Sequence, residues 1–439
     1  MSTEHGSDDS RRLGTATADA PVVIVGAGVS GLTAALHLAS LDIPSTVLDR
    51  VDGTTAAAPP TTRPGSLGSV AGPGDLAVWD RADRGIAAEI LALGSQPAHE
   101  EIRWGRRRRH TVSRSRSAPG RSIGVPYPSL RGALLRAAGR HPLVEVRGGA
   151  RVVGVLPGPR DVTLLLGDGV VTAPWVVAAD GPRSTLRVSS GIATSTVALG
   201  HVVLTFDVRG DASFRGLGPA RLSWFSPPSA PASHLLVTPR CDDTWRLDWT
   251  HPRTVDLEGE ERSGRLHRRL AALVGPSGWT VSSATIRRVA HHVADSYRSG
   301  RVLLVGDAAG EAVLGDGGLG PGVSDSVAAA EALAIAIREP RSADRAVARY
   351  AVQRRAEALG ETATRLRAVR RRVPDSIPTR ALLTGALLAA PWSATARRYL
   401  VGRSGQADAG RPPDDAPTRP TIPAPTGPTD AADRLQERV

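Results

Sequence analysis

The chain contains no lysine; all 55 of its basic side chains are arginine. This excludes reactions that need a lysine amine, such as Schiff-base chemistry. It also excludes the P-loop, whose lysine reaches the phosphates. Cys241 is the one cysteine. No intramolecular disulfide can form, and a reducing, cytoplasmic compartment is expected. Aromatic residues make up 3% of the chain. The formal net charge of +12 therefore comes without the interleaved aromatics on which bases stack. It also comes without a nucleic-acid-binding motif. The basic runs at residues 106–109 and 370–372 read as solvated faces, and no nucleic-acid partner is expected. No apolar run approaches the roughly 18 residues of a membrane span. The longest, residues 381–391, is too short, and residues 1–20 lack the apolar core of a signal peptide. Integral membrane association is not expected.

What is present begins at Val22-Val23-Ile24-Val25-Gly26-Ala27-Gly28-Val29-Ser30-Gly31-Leu32. A short apolar strand runs into Gly-x-Gly-x-x-Gly, and an Ala/Leu-rich helix follows over residues 32–40. Gly26 permits the tight turn. Gly28 removes a side chain that would block a pyrophosphate, and Gly31 lets helix and strand approach. The helix N-terminus then offers N–H groups and a positive dipole to the anion. Residues 43–49 form a second strand that ends in Asp49, about 18 residues past Gly31. The spacing suits a carboxylate that binds a ribose 2′-hydroxyl, with Arg50 beside it. An ordinary βαβ unit with a glycine-rich turn is the plainer alternative.

The length, 439 residues, allows two or three domains. Residues 1–19 and 404–439 read as disordered, since they hold too few large apolar residues to offset the entropy of ordering. Residues 53–75 read as an extended loop, 76–93 and 129–139 as helices, and 106–121 as an exposed basic turn region. Short strands are expected at 144–146, 150–156, 162–166 and 175–179, with a hairpin turn at Gly167-Asp168-Gly169. From about 190 to 290 the pattern changes to strands of a half-exposed antiparallel sheet, followed by an amphipathic helix at 262–274. A buried strand returns at 301–307. A glycine-rich loop at 310–322, a helix at 324–338 and further helices at 342–402 complete the chain. Trp224, Trp245 and Trp249 read as core or pocket wall.

Three motifs stand in order: Gly26 to Gly31, then Ala179-Asp180-Gly181-Pro182-Arg183-Ser184-Thr185-Leu186-Arg187, then Gly306-Asp307-Ala308-Ala309. Together they resemble the fingerprints of the FAD-dependent aromatic hydroxylases, the p-hydroxybenzoate hydroxylase-like class A flavoprotein monooxygenases. Residues 296–302, and Tyr350 followed by Arg354-Arg355, add to the likeness, which covers roughly residues 20–400. The resemblance implies an α/β fold. A discontinuous Rossmann-like FAD-binding domain (20–189 and 295–340) would carry an inserted, mainly antiparallel substrate domain (190–294), with C-terminal helices at 341–403. It implies FAD as cofactor and NAD(P)H as co-substrate. Oxygen would be carried by a flavin C4a-hydroperoxide to hydroxylate or epoxidise an aromatic or polyketide-like substrate. Asp307 would accept ribityl hydroxyls, its alternative role being a helix N-cap. Pro321-Gly322 would open a helix aimed at the flavin N1–C2=O edge, where its dipole stabilises the reduced, anionic ring. Gly320, Gly322 and Val323 would line that edge. Asp180, Gly181 and Arg183 would close over the cofactor, and Tyr127 would lie near the flavin.

Several positions depart from the family pattern. Gly310 replaces the usual histidine after Gly-Asp-Ala-Ala, and Ala312 to Leu314 replace prolines. The segment Gly317 to Asp325 is short and lacks the usual asparagine. Tyr127 stands where many relatives carry Arg or Gln. Gly-Asp-Ala-Ala-Gly also resembles the geranylgeranyl-reductase branch, so a flavin reductase or desaturase is an alternative reading. A non-redox FAD-binding protein is another. For a catalytic base, His291 and His292 are the candidates, and adjacent residues on a strand face opposite ways, so at most one can serve. No metal site is expected. A homodimer is one option for the assembly.

Overall fold

The computed structural model describes residues 22–51, 69–97, 99–113, 122–210, 220–241, 243–252, 256–313, 319 and 321–401. The segments 1–19 and 404–439, expected to be disordered, lie outside the described residues.

Val22–Val25 is a strand with all four residues buried, as an apolar run covered on both faces must be. It sits inside a six-stranded sheet. The order is Arg298–Ser299, Val302–Leu304, Trp175–Ala178, Val22–Val25, Ser45–Leu48, Val144–Arg147. Every neighbouring pair is parallel except the two-residue edge strand Arg298–Ser299. The chain starts in the middle, builds outward through Ser45–Leu48 and Val144–Arg147, then returns to the other side of Val22–Val25. The order therefore reverses between Val22–Val25 and Trp175–Ala178, and their carboxyl ends open a crevice of the kind that binds dinucleotides. Three antiparallel strands, Val152–Pro157, Val162–Leu166 and Val170–Ala173, form a small sheet in the excursion between the third and fourth parallel strands. Its hairpin closes as the sequence suggests, with Leu166 N–H donating to Gly169 O at 2.8 Å.

The second large sheet has eight strands, in the order Gly310–Val313, Trp279–Ala294, Thr194–Gly210, Thr244–His251, His234–Pro239, Arg221–Phe225, His99–Trp104, Arg107–Ser113. Three expectations change here. First, the sheet draws strands from outside 190–294. Residues 107–113, expected as exposed turn, pair with His99–Trp104. Residues 310–313, expected as loop, pair with Ala290–Val293. Arginine runs and glycines carry no period-2 signal, and here the partner strand supplies the order. Second, the sheet is not half-exposed: Thr244–His251 and His234–Pro239 are buried almost throughout. One face packs Phe206, Trp224, Leu247 and Trp249 under the helix Arg265–Val274, a core role for these tryptophans. The other face is covered in part by distant helices. Leu366 and Val369 lie on Val203 and Val289, while Leu383 and Leu387 lie on Ile102 and Phe225. Third, two expected helices have other bounds. The helix expected at 76–93 divides into Pro73–Ala82 and Ile86–Ala92 at Gly85 (φ +92°), and the one expected at 262–274 begins at Arg265, after Gly264 (φ +65°) and a separate short helix, Leu257–Arg262. At both breaks the glycine adopts a left-handed conformation that a side chain disfavours.

The loop expected at 53–75 holds one described strand, Ser69–Ala71, paired with Ile123–Val125. The remaining α-helices are Val29–Ser40 after the glycine loop, Tyr127–Arg140, the short Thr185–Ser189, Gly322–Arg338, the long Ala343–Arg372, Ile377–Ala389 and Ala394–Val401. No helix among the described residues is long and apolar enough to cross a membrane.

Candidate active site

The crevice floor is the glycine loop. Gly26 has φ +108°, and a Cβ there would lie 2.3 Å from Ala179 O. A Cβ on Gly31 would lie 1.9 Å from Gly26 O. Only hydrogen fits at either position, so the start of the helix Val29–Ser40 is pressed onto the loop. Gly28 caps that helix without any side-chain bond, and its first turn holds no acid. The dipole end is thus left for an external anion. A Cβ on Gly28 would meet the Tyr127 hydroxyl at 3.2 Å. Tyr127, at the start of Tyr127–Arg140, therefore stands against the loop, with Val29 N–H directed at its oxygen. Burial, and then the charge of Asp307, push its phenol above the usual range.

Asp49 ends the second strand, as expected, but already has partners. It accepts Ala27 N–H at 2.7 Å through Oδ2 and Val51 N–H at 2.9 Å through Oδ1. Arg131 lies 3.7 Å from Oδ2 and donates from Nε to Ala27 O at 2.7 Å. The carboxylate thus braces the loop, and its remaining lone pairs suit a ribose diol. Arg50 is exposed at the strand end.

In the second motif, Asp180 turns inward. It accepts Ser184 Oγ–H at 2.5 Å and Leu186 N–H at 3.1 Å, so it organises its own loop. Gly181 takes φ +84° to permit this. Arg183 is exposed. The arginine that joins the motifs is Arg187, which donates to Ala308 O at 2.9 Å and Pro182 O at 3.0 Å. Its place at the end of the same motif was the available signal, and singling out Arg183 missed it.

The third motif meets the first through Ser30. A Cβ on Gly306 (φ +60°) would lie 2.2 Å from Ser30 Oγ, and one on Gly322 would lie 2.6 Å from it. Ser30 thus fills the gap left by two glycines, where the N-termini of Val29–Ser40 and Gly322–Arg338 converge. Val323 is buried beside them, and Gly320 lies outside the described residues. Sequence reading also passed over Asp325 as a site residue. It is buried in the first turn of Gly322–Arg338, accepts Gly306 N–H at 3.2 Å and accepts Arg354 Nε–H at 2.7 Å. Tyr350 donates from its hydroxyl to Leu304 O at 2.5 Å. The Tyr350 and Arg354 of the long helix are therefore struts that hold the Gly306–Asp307 turn.

Asp307 is the open group of the site. It is exposed within the crevice, and among the described residues its carboxylate has no hydrogen bond. It does not serve as a helix N-cap. Enclosure by protein, and then Glu311, push its carboxyl up to about 7, against the pull of Arg287. Arg287 and Glu311 are themselves ion-paired. An uncapped helix N-terminus, a cradle of glycines and an acceptor without a donor together fit a pyrophosphate and a polyhydroxyl chain. The residues present thus fit FAD.

A raised folded-state value means that ionising Asp307 opposes folding as pH rises from about 4 to 7. Asp307→Asn in the FAD-free protein should therefore melt like the wild type near pH 4 and above it at about pH 8. The same change should weaken FAD binding, because an acceptor becomes in part a donor. Melting curves at the two pH values decide it, and a variant less stable at the high pH defeats the assignment.

The candidate bases part as expected. His291 is buried, bonded through Nδ1 to Thr362 Oγ1 at 2.7 Å under the long helix. Burial and Arg365 lower it to about 4. His292 faces the other way, 2.8 Å from Thr196 Oγ1. A small cavity lies between Val70, His99, Glu100, Ser122, Arg221 and Thr238.

Fold and crevice define an FAD-binding flavoprotein. Residues 19–362 match the family described as FAD binding domain, and the chain belongs to that family. Among curated relatives, the ubiquinone hydroxylase UbiL of Rhodospirillum rubrum is 30% identical over 218 residues, 48% of each chain. The 6-methylpretetramide 4-monooxygenase of Streptomyces rimosus is 30% identical over 310 residues, 66% of this chain and 51% of that one. The chain thus spans about half the length of these relatives. The crystal structure of p-nitrophenol 4-monooxygenase PnpA from Pseudomonas putida superposes with a TM-score of 0.70 at 22% identity, over 87% of this chain and 96% of that one. That likeness supports the fold.

Proposed function

We propose that the protein is an FAD-dependent monooxygenase, which uses NAD(P)H and O2 to oxygenate an aromatic or polyketide-like small molecule. The observation that carries this reading is the open Asp307 beside the uncapped helix of Gly28, at the switch point of a sheet in an FAD-binding family. The activities of the relatives, on p-nitrophenol and 6-methylpretetramide, support the substrate class. In this reading residues 20–189 and 295–340 hold the FAD, residues 190–294 carry most of the substrate sheet, and 341–403 cover it. The strands at 99–113 belong functionally with that sheet.

FAD, when bound, supplies the redox and oxygen chemistry. The protein's part is to position and to exclude water. Gly28 and the helix behind it take the pyrophosphate, Asp49 the ribose and Asp307 the ribityl hydroxyls. The helix Gly322–Arg338 directs its positive end at the site, where negative charge on the reduced cofactor is favoured. No acid–base role is assigned to His291, which is neutral at pH 7 and engaged with Thr362.

Gly310, which prompted the reductase alternative, has a local explanation. A Cβ there would lie 3.0 Å from His292 O and 3.3 Å from the Tyr297 hydroxyl. That contact is tight enough that the backbone carbonyl would have to give, so the glycine has a packing reason and says nothing for a reductase.

The test is a visible spectrum of the purified protein, then NADPH addition with oxygen monitored. Bound flavin that bleaches with oxygen uptake, faster with polycyclic phenols, is the expected result. Bleaching without oxygen uptake would turn the assignment to a reductase, and flavin that never reduces to a non-redox protein.

A further inference from the structure

The helix Ile377–Ala389 is apolar on two sides. Leu383, Leu387 and Ala390 pack on Ile102 and Phe225 of the large sheet. The opposite side carries Leu382 and Leu388, each at least half exposed, with Ile377 at 82% and Trp392 at 85% exposure. A helix apolar all round is normally buried all round, so this side calls for a partner.

Three occupants are available, and charge and apolar content separate them. From residue 362 to 401 the sequence has arginines at 365, 367, 370, 371, 372, 380, 397 and 398, and one acid, Asp375. Asp375 is paired with Arg370 at 3.5 Å, and Arg365 with the preceding Glu361 at 2.6 Å, which leaves the stretch with a large excess of arginine. Arg397 donates to Ala390 O and Pro391 O, at the turn that presents Trp392. Arg380 is exposed on the same helix. A second copy docked face to face would oppose arginine to arginine. Residues 402–439 offer Ile422, Leu435 and Val439 as their only large aliphatic side chains, too few to cover the face. An anionic lipid surface meets both requirements: the apolar side chains enter the headgroup boundary, tryptophan favours that depth, and arginines pair with phosphates.

We propose that Ile377–Ala389 and the turn after it dock this protein on anionic membrane surfaces, without crossing them. Arg221 of the cavity and Phe225 under the helix lie four residues apart on one strand, about 13 Å. Given the monooxygenase reading, docking would bring the substrate sheet close to lipid, where apolar substrates partition.

The experiment is co-sedimentation of the full chain, as purified with its flavin, with phosphatidylcholine vesicles containing or lacking phosphatidylglycerol. Binding only to the anionic vesicles, weakened by salt, is expected. The double variant Leu388→Gln/Trp392→Gln should partition about tenfold less. Both side chains are exposed, so its melting temperature should match the wild type. Absence of binding to anionic vesicles overturns the proposal. Equal binding by the variant overturns it too, since the lipid contact would then lie elsewhere. A dimer in light scattering that the variant abolishes would identify a second copy as the occupant, and overturn it likewise. Vesicle binding is read without turnover, so it stands or fails apart from the proposed reaction.

Discussion

Gly31→Ala should cost about 3 kcal/mol of stability and leave a protein that no longer retains FAD. The added Cβ would stand 1.9 Å from Gly26 O and 3.2 Å from Ala179 Cβ, so one side must give. The loop cannot: Gly26 donates to Leu48 O at 2.7 Å, and at φ +108° it is already at the limit of its freedom. The helix resists as well, because Leu32, Ala34, Ala35, Leu36 and Leu38 are fully buried. Whichever moves, the helix N-terminus leaves its place against the crevice. Urea unfolding and the ratio of flavin to protein absorbance measure both effects. Two other glycines calibrate the result. Gly28→Ala meets only the Tyr127 hydroxyl, at 3.2 Å, and should fold while binding FAD more weakly. Gly139→Ala, on the exposed end of Tyr127–Arg140 with nothing within 4 Å, should stabilise by about 0.5–1 kcal/mol. A Gly31→Ala protein as stable as the wild type would show that the loop and helix are not in the contact described.

The second large effect is at the buried ion pair behind the Gly306–Asp307 turn. Asp325→Ala should cost about 3 kcal/mol, because it leaves the Arg354 guanidinium with Glu357 alone as its anion and removes the acceptor of Gly306 N–H. Burial pushes the Asp325 carboxyl up to about 6, with Arg354 opposing the shift. The group is therefore ionised at neutral pH, and the pair is a charged one. Its raised value carries a sign. The contribution of this group to stability falls as pH rises from about 4 through 6, so Asp325→Asn should flatten stability against pH over that window. Arg354→Met alone should be as damaging as Asp325→Ala, since it leaves a carboxylate without its cation. The double change Asp325→Leu/Arg354→Met should be milder than the sum of the single changes, as apolar replacement of a whole buried pair commonly is. Additive losses in urea unfolding would show that the two residues are not coupled. Flavin retention should follow stability in each variant, because the pair holds the turn that presents Asp307.

Much of the site was legible before any coordinates. Gly26, Gly28 and Gly31 follow a strand and open a helix, and local chain geometry alone requires hydrogen at such positions. Asp49 and Asp307 end buried strands, so chain direction places them at one edge of the sheet. The order of the three motifs carries the cofactor reading. What could not be read were partners chosen across the fold. Arg187 rather than Arg183 ties the second motif to the third, because it alone reaches Ala308 O. Ser30 matters because two glycines 276 and 292 residues away approach it. His291 and His292 looked alike in sequence, and only the long helix overhead makes one of them a buried hydrogen-bond partner of Thr362.

The sequence by itself determined the buried parallel strands, the phosphate cradle and the acids at the strand ends. Apolar runs and glycine conformations are properties of a few consecutive residues. Tertiary structure alone decided that residues 107–113 and 310–313 become strands, that the central strands of the large sheet are buried, and that Asp325 and Arg354 meet. Each of these depends on contacts between segments far apart in the chain, whose energy no local window contains.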